Sequence, residues 1–536
     1  MTNNTHTNLL RLLSITFILA FLSVPSLGKC INKRFYVERY GRDKIAFERL
    51  SADVNANGGG RVIFPKNAIY EISIADDPNA GHTAFPQEES IIFSFRNCKK
   101  VHVEMNGSTI IINNNHSSKY SFFFFYNCKS FQINDGFLIG DSKGHDYSPV
   151  LFRGKEELTS HQWGHGLNVV GSKGRIKNMK ISYMTGDGIR ISSYKNTHGE
   201  FHTKVKVDGC EISYCRRNGV TIGSTEGVNL VNMTVHHIGT HDGVEGTLPQ
   251  AGIDLEYEDK VGDTGQIIID NCHFYECTTS TIVASNSSVP NPSRFIISNS
   301  TIDGSYFQIT NMQVQERGNK MVKNCRFINT PINCGDAIVE GCTFEMGTKI
   351  HYVHGTTFKG CNFVGQLETA DSKYGCCFGG NTYDPASFIK CTFRNIRGKN
   401  DDSYLQGFSG YSFKIIAYFD DCVFYNSSFA LGGAGAESNY SFRNCSLSDG
   451  CTMHNRGGNM VVFTKSKLYN VSSYSNQKGQ FSFEKCEIIQ DDNDIKYPLL
   501  YFGNHRMKAC VVTDGIEITP TMKALGVRKA LIQELE

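Results

Sequence analysis

A four-residue pattern recurs along most of this chain and restricts it to one kind of architecture. The pattern is a turn residue, a small or thiol residue, any residue, and then an apolar residue. It reads Asn178-Met179-Lys180-Ile181, Gly209-Cys210-Glu211-Ile212, Asn232-Met233-Thr234-Val235 and Asn271-Cys272-His273-Phe274. It continues through Asn324-Cys325-Arg326-Phe327, Lys390-Cys391-Thr392-Phe393 and Asn444-Cys445-Ser446-Leu447 to Lys485-Cys486-Glu487-Ile488. The units recur about every 26 residues, the length of one coil of a β-solenoid. Alternation at period two turns the second and fourth residues of each unit inward. Stacked coils about 4.8 Å apart then line these residues up as columns inside a tube. A chain of 536 residues would otherwise divide into several domains. The repeat makes residues 76–515 one solenoid, with an N-terminal cap at 29–75 and a C-terminal helix and tail at 516–536.

Residues 1–28 read as a signal peptide, with Arg11, an apolar run from Leu12 to Val24, and Ser26-Leu27-Gly28 as a cleavage site. The run is shorter than the ~20 residues that a membrane span needs, and no later segment is long and apolar enough. The expectation is therefore a secreted chain, periplasmic or at the cell surface, monomeric and with no span after cleavage. A net charge of +2 gives no global reason to bind nucleic acid. Nineteen cysteines in an exported chain would ordinarily mean disulfides. Met179, Met233, Ser300 and Ser466 stand at the thiol position, however, which fits packing and not obligate bridges. Stacked reduced thiols are expected, leaving Cys376-Cys377 and the out-of-register Cys215, Cys277, Cys334, Cys451 and Cys510 as candidates for pairing.

Asparagine at the first position suits a sharp corner, because it tolerates left-handed backbone and bonds neighbouring peptide groups. With these asparagine corners and internal stacks the chain resembles the pectate-lyase and polygalacturonase superfamily. Its opening is similar as well: a helix over Ile45 to Val54, then Gly58-Gly59-Gly60-Arg61-Val62-Ile63-Phe64-Pro65 and Tyr70. The resemblance implies an all-β, single-stranded, right-handed parallel β-helix with an N-terminal cap helix, and a helix over Thr521 to Glu536 is expected to cover the other end. It also implies a polysaccharide partner.

Four Gly-led strands carry the polar residues of interest: Gly166-Leu167-Asn168-Val169, Gly188-Ile189-Arg190-Ile191, Gly219-Val220-Thr221-Ile222 and Gly252-Ile253-Asp254-Leu255. With the apolar members inward, Asn168, Arg190, Thr221 and Asp254 form an outward column, and Glu256 continues that face. His165, Asp187 and Asn218 each precede a glycine. These strands resemble those of polygalacturonase-type glycoside hydrolases, with Asp187 matching an aspartate of the "G-D-D-x-I-x-I" strand. Asn218 replaces the histidine of "GHG", and Asp254 and Glu256 stand where that family carries Arg and Lys. Loss of that positive charge argues against direct recognition of a galacturonate carboxylate.

Two chemistries remain. Asp254 and Glu256, with Asp187 orienting substrate or acting as acid, form a carboxylate set for glycosidic hydrolysis, with no cofactor. Alternatively, the acids hold Ca²⁺, and Arg190, Arg217, Lys177 or His165 supports β-elimination as in a polysaccharide lyase. A non-catalytic glycan-binding or adhesin solenoid is the third possibility. Substrate-binding candidates are His165, Arg190, Arg217, Trp163, and His241, Asp242 and Glu245 of the loop from His236 to Gly252, which is expected to wall a cleft. The histidines of that loop match no zinc spacing, so no metal ligands are assigned. Phe122 to Tyr126 reads as an interior strand.

Overall fold

The computed structural model describes residues 33–529 except 75–78, 81–89, 153–155, 159–160, 197–198, 257–263, 285–291, 310–311, 313–317, 347, 352–354, 366–376, 380–385, 397–415, 432–438, 456–459, 474–479, 492–498, 500–504 and 514–517. The expected signal peptide lies outside the described residues. Within them, no helix is long and apolar enough to cross a membrane.

The chain is an all-β, right-handed parallel β-helix. One coil runs through Val220–Ile222, Thr225–Val231 and Thr234–Ile238, and the next begins at Ala251–Leu255. Each strand pairs in parallel with its counterpart one coil on, as Val220 with Ile253, Val228 with Ile267, and Thr234 with His273. The first strand of each coil as far as Cys377–Gly379 contributes to an 11-stranded sheet, Ser428–Leu431, Thr452–Asn455 and Ser472–Ser473 form a further 3-stranded sheet, and the other strands of the coils contribute to a 34-stranded sheet that folds around two faces. Four strands of the 11-stranded sheet position the candidate site: β1 (Trp163–Val170), β2 (Ile189–Ser192), β3 (Val220–Ile222) and β4 (Ala251–Leu255).

The expected corner residues do adopt left-handed backbone. Asn178, Asn232, Asn271, Asn299 and Asn324 all have φ between 50° and 56°. Their side chains bridge coils: Asn271 Nδ2 donates to Asn232 Oδ1 at 2.8 Å and Asn299 Nδ2 donates to Asp270 Oδ1 at 2.8 Å. Lys390, Lys465, Lys485 and Ala509 take the same conformation without that bond, at a cost of order 1 kcal/mol each. Ala509-Cys510-Val511-Val512 is thus one further unit, with Val511 paired to Glu487. Cys510, expected out of register, is therefore part of the thiol column.

All sixteen cysteines described with side chains are free and buried, including Cys215, Cys277, Cys334 and Cys451; Cys376 and the side chain of Cys377 lie outside the described set. The Cys391, Cys422 and Cys445 thiols donate to the Phe358, Phe388 and Phe419 carbonyls one coil back, at 3.6, 3.3 and 3.5 Å. Ser466 Oγ does the same toward Phe442 O at 3.3 Å and accepts from the Cys445 amide at 3.1 Å. This shared bond explains why serine interchanges with cysteine. Burial pushes the Cys210, Cys272 and Cys277 thiols up to about 12, which keeps them protonated.

Phenylalanines fill the C-terminal coils in two columns. Phe363, Phe393 and Phe424 stack at 4.6 Å intervals, and Phe388, Phe419 and Phe442 stack at 4.9 and 4.6 Å. Rings of one column meet rings of the other edge to face, as Phe393 meets Phe419 at 73°. Such offset and T-shaped contacts suit the ring quadrupoles. In the run Phe122 to Tyr126, Phe123 and Phe125 stack within the tube. Phe124 belongs instead to a small outer cluster with Ile91 and Val170, so the strand is not wholly interior.

Helix Lys44–Ala56 closes the N-terminal end. Asp43 Oδ1 caps it by accepting from the Ala46 amide at 2.8 Å. Phe47 then stacks on Phe93 at 4.5 Å. The other end departs from expectation. The helix there spans only Pro520–Ala524, because Gly526 takes φ 79° and its neighbour Val527 donates back to Met522 O at 3.0 Å. That C-terminal motif ends the helix, and Arg528–Lys529 adds a last strand to Val511–Val512.

Replacing Phe393 by Ala is expected to lower unfolding free energy by about 3–5 kcal/mol in urea titrations. Cys422→Ser, which preserves the carbonyl bond, is expected to change it by about 1 kcal/mol or less.

Candidate active site

The outer face of β1–β4 owes its polar cluster to a packing constraint at four glycines. A Cβ on Gly188 would lie 2.4 Å from Ile212 Cγ2, and one on Gly219 would lie 2.5 Å from Val235 Cγ1. A Cβ on Gly166 would meet Ile181 at 2.6 Å, and one on Gly252 would meet the Thr281 carbonyl at 2.7 Å. These glycines face the core, and so do the apolar residues that follow them. The residue before each glycine and the residue three positions further on therefore share the outer face, as the 3.0 Å bond from Asn218 Nδ2 to Thr221 Oγ1 shows. Register stacks Asn168, Arg190, Thr221 and Asp254 on successive strands.

Arg217 is the hub. Its Nη1 donates to Asp187 Oδ1 and Oδ2 at 3.2 and 3.1 Å, and its Nη2 donates to Glu256 Oε1 at 2.6 Å. Asp254 Oδ2 stands 3.8 Å from the same Nη2 and accepts from Asn218 Nδ2 at 3.2 Å. Asn218 Oδ1 in turn accepts from the Ala251 amide at 3.0 Å, which fixes the amide's orientation. Burial alone would lower the Arg217 pKa; Asp187, Glu256 and Asp254 outweigh it and raise it, so the guanidinium stays charged. Arg217 is thus the opposite of an arginine prepared to act as a base.

The structure brings together Asp187, Arg217, Asp254 and Glu256, with His165 beside them. The sheet is not the open surface expected, because Asp187 and Asp254 have no solvent exposure. Burial follows from their pairing with a guanidinium that is itself largely covered. The Glu256 side chain retains 38% exposure and the Arg217 side chain 13%, so these two present the cluster to solvent. His165 Nδ1 accepts from the Asp187 amide at 3.2 Å, leaving the proton of the neutral ring on Nε2, a buried atom without a partner among the described residues. Burial, with Arg190 and Arg217 nearby, holds this imidazole well below the ordinary histidine range. Arg190 is half-buried in the outward column.

Other candidates lie elsewhere. Lys177 is exposed on the 34-stranded sheet, opposite Asp208, and is no substitute base. Trp163, at the start of β1, has the Lys119 ammonium 5.9 Å from its ring. In the long loop, Asp242 pairs with Lys143 at 3.2 Å, and the Glu245 carbonyl accepts from Arg216 Nε at 2.7 Å. His241 is buried against Tyr214, 5.3 Å between ring centres. The loop is therefore anchored on a tyrosine pair and on Arg216, not on Arg217. Tyr183 and Tyr214 stack at 4.9 Å and 10°, each in left-handed backbone. The repeated strings Ile181-Ser182-Tyr183 and Ile212-Ser213-Tyr214 were the sequence signal for that pair. A buried chain also runs from Asp141 Oδ2 to His145 at 2.7 Å and on to His161 at 2.9 Å; no local motif announces it.

A calcium site does not fit these residues. Asp187, Asp254 and Glu256 already surround a cation, Arg217. Among the described residues no set of three or more His, Cys, Asp or Glu side chains is arranged to hold a metal ion.

Residues 156–313, which contain the cluster, match the family described as "Right handed beta helix region". Two proteins of Bacillus subtilis (strain 168) are similar in sequence. The uncharacterized protein YclG is 29% identical over 30% of this chain and 27% of its own length. The SPbeta prophage-derived uncharacterized protein YorA is 32% identical over 26% of this chain and 25% of its own length. The chain thus spans about a quarter of the length of these curated relatives. Among solved structures, a tailspike protein of E. coli bacteriophage HK620 in complex with pentasaccharide is similar with TM-score 0.38 and 11% identity, over 90% of this chain and 76% of that one. The Azotobacter vinelandii mannuronan C-5 epimerase AlgE6 A-module gives 0.34 and 11%, over 89% and 99%.

Arg217→Met removes the guanidinium that pairs at 3.1 Å with the fully buried carboxylate of Asp187 and is expected to destabilise the fold by about 3–5 kcal/mol, read by urea titration. A pH effect follows from the buried imidazoles. His165 is held far below the ordinary value and burial lowers His161 to about 4, so the unfolded chain binds more protons below its own value of about 6.5. Stability is expected to be complete above that pH and to fall as pH drops from 6.5 toward 4. His165→Gln is expected to flatten part of that decline in melting temperature against pH.

Proposed function

We propose that this protein is a secreted carbohydrate-active enzyme that hydrolyses glycosidic bonds of a polysaccharide laid along the outer face of β1–β4. The observation that carries this reading is the convergence of Asp187, Asp254 and Glu256 on Arg217, on the outside of the tube and across neighbouring coils. The solenoid does not need these charges, since its columns are apolar, and burying ion pairs is seldom a gain in stability. Their placement is better explained by chemistry at the surface they border.

In this reading Glu256 is the carboxylate that meets the sugar. Asp254 stands 3.8 Å from the same Arg217 Nη2 that Glu256 accepts from, so the two acids border one guanidinium and serve as the acid and the base or nucleophile. Asp187 accepts from Arg217 Nη1 with both carboxylate oxygens and is a positioning residue. A rigid solenoid sheet suits an extended polymer, which contacts several coils at once. Export is supported by the apolar run from Leu12 to Val24 behind Arg11.

One observation favours a second reading, a glycan-binding solenoid without turnover: Asp187 and Asp254 are wholly covered. A polysaccharide panel, neutral and acidic, with and without EDTA, separates the two. Cleavage by the full chain that survives EDTA, and that falls about 10²–10⁴-fold in Glu256→Gln, is the expected result. Binding without cleavage of any polymer selects the second reading. Cleavage that EDTA abolishes and that yields unsaturated products would overturn both in favour of a lyase.

A further inference from the structure

A second face of the molecule carries an arrangement of charge that folding alone disfavours. On the 34-stranded sheet, Lys173 stands directly opposite Lys204, and Arg175 stands directly opposite Lys206. Like charges facing each other across neighbouring strands destabilise a sheet, and here two such pairs lie side by side. They border a shallow groove of about 540 Å³ whose lining also includes Lys100 and Lys129. Lys173 and Lys206 are offset by carboxylates, Glu226 at 2.8 Å and Asp208 at 2.7 Å. Lys100, Lys129, Arg175 and Lys204 are exposed, and none has an ion-pair partner among the described residues. The whole chain is nearly neutral, at +2, so this is a local concentration of charge and not a general property.

We infer that this groove is a binding site for an acidic polysaccharide, carboxylated or sulfated, lying across the coils. The stacking of strands sets the geometry. Cations repeat along the tube axis at the strand spacing of about 4.8 Å, which gives a linear anionic chain successive contacts without bending. The lining favours glycan over single-stranded nucleic acid. Base binding relies on exposed aromatic platforms, and Phe131, the one Phe, Tyr or Trp in the lining, is buried. Gln132, Asn229 and Gln266 supply neutral hydrogen-bonding groups suited to hydroxyls. The site lies on a different sheet from Arg217 and does not depend on the proposed hydrolysis. It would hold an acidic polymer whether or not that polymer is the one cleaved.

The test compares the full chain with an Arg175→Ser/Lys204→Ser variant. This variant removes one member of each repelling pair and leaves no carboxylate without its partner. Probes are immobilised polygalacturonate, dextran sulfate, neutral dextran and an oligo-dT strand, read by biolayer interferometry at two salt concentrations. The expected result is salt-sensitive binding to the polygalacturonate or dextran sulfate, at least tenfold weaker in the variant, with a melting temperature unchanged or raised. Glu256→Gln is expected to bind as the native chain does, so failure of the hydrolase reading leaves this result standing. Equal binding of the variant and native chains to the anionic glycans, or native binding no stronger to them than to neutral dextran, would overturn the inference. Preference for oligo-dT over both acidic glycans would reassign the groove to nucleic acid.

Discussion

The parallel backbone ladder between coils is the constraint on which everything else in this molecule rests. Each strand of the ladder bonds to its counterparts one coil before and one coil after, so every coil must repeat the same path. The path closes only if the chain turns sharply at fixed points, and left-handed residues make those turns. Once Asn271, Asn299 and Asn324 adopt that backbone, the residue after each must point into the tube. Little room remains there, and a side chain that can also satisfy a carbonyl of the preceding coil is favoured. Cysteine and serine meet both conditions. The column of thiols is therefore a consequence of turn geometry, and redox chemistry is not needed to account for it.

The same ladder explains why polar chemistry gathers on the 11-stranded sheet. Where two consecutive residues face the core, the outward alternation skips a step, and residues three apart become neighbours. Only glycine permits this, because the space of its missing Cβ is occupied by Ile181, Ile212 or Val235 of the adjoining face. The glycine column thus brings Asn218 beside Thr221 and, through the strand register, brings both against Asp254. Arg217 lies one residue before that geometry and reaches carboxylates on the strands to either side. The cluster is a product of the corner, not of any one motif.

Most of the architecture was legible in the sequence because its determinants are local and repeated. Turn residue, thiol and phenylalanine recur at short fixed offsets, and the outward column of Asn168, Arg190, Thr221 and Asp254 follows from alternation alone. Burial was not legible. Alternation assigns a residue to the outside of the tube but does not say whether that outside is covered, so Asp187 and Asp254 read as exposed and are not. Contacts between loops were equally hidden. The attachment of Glu245 to Arg216, and the chain from Asp141 through His145 to His161, join residues that no repeat relates. The short C-terminal helix shows the same limit, since one left-handed glycine, Gly526, redirected a segment whose composition favours helix.

The two charged faces follow opposite electrostatic logic, and the contrast bears on what each can do. Around Arg217, opposite charges are paired and Asp187 and Asp254 are withdrawn from solvent, so the interaction is short-ranged and screened much less by salt. Such an arrangement fixes the positions of a few groups, as chemistry on a single bond requires. Along the groove of Lys173, Arg175, Lys204 and Lys206, like charges repeat and remain in water, so each contact is weak and screened. Many weak contacts in register hold a long polymer while letting it slide from coil to coil. A solenoid can combine the two because its faces are built from different residues of the same coil.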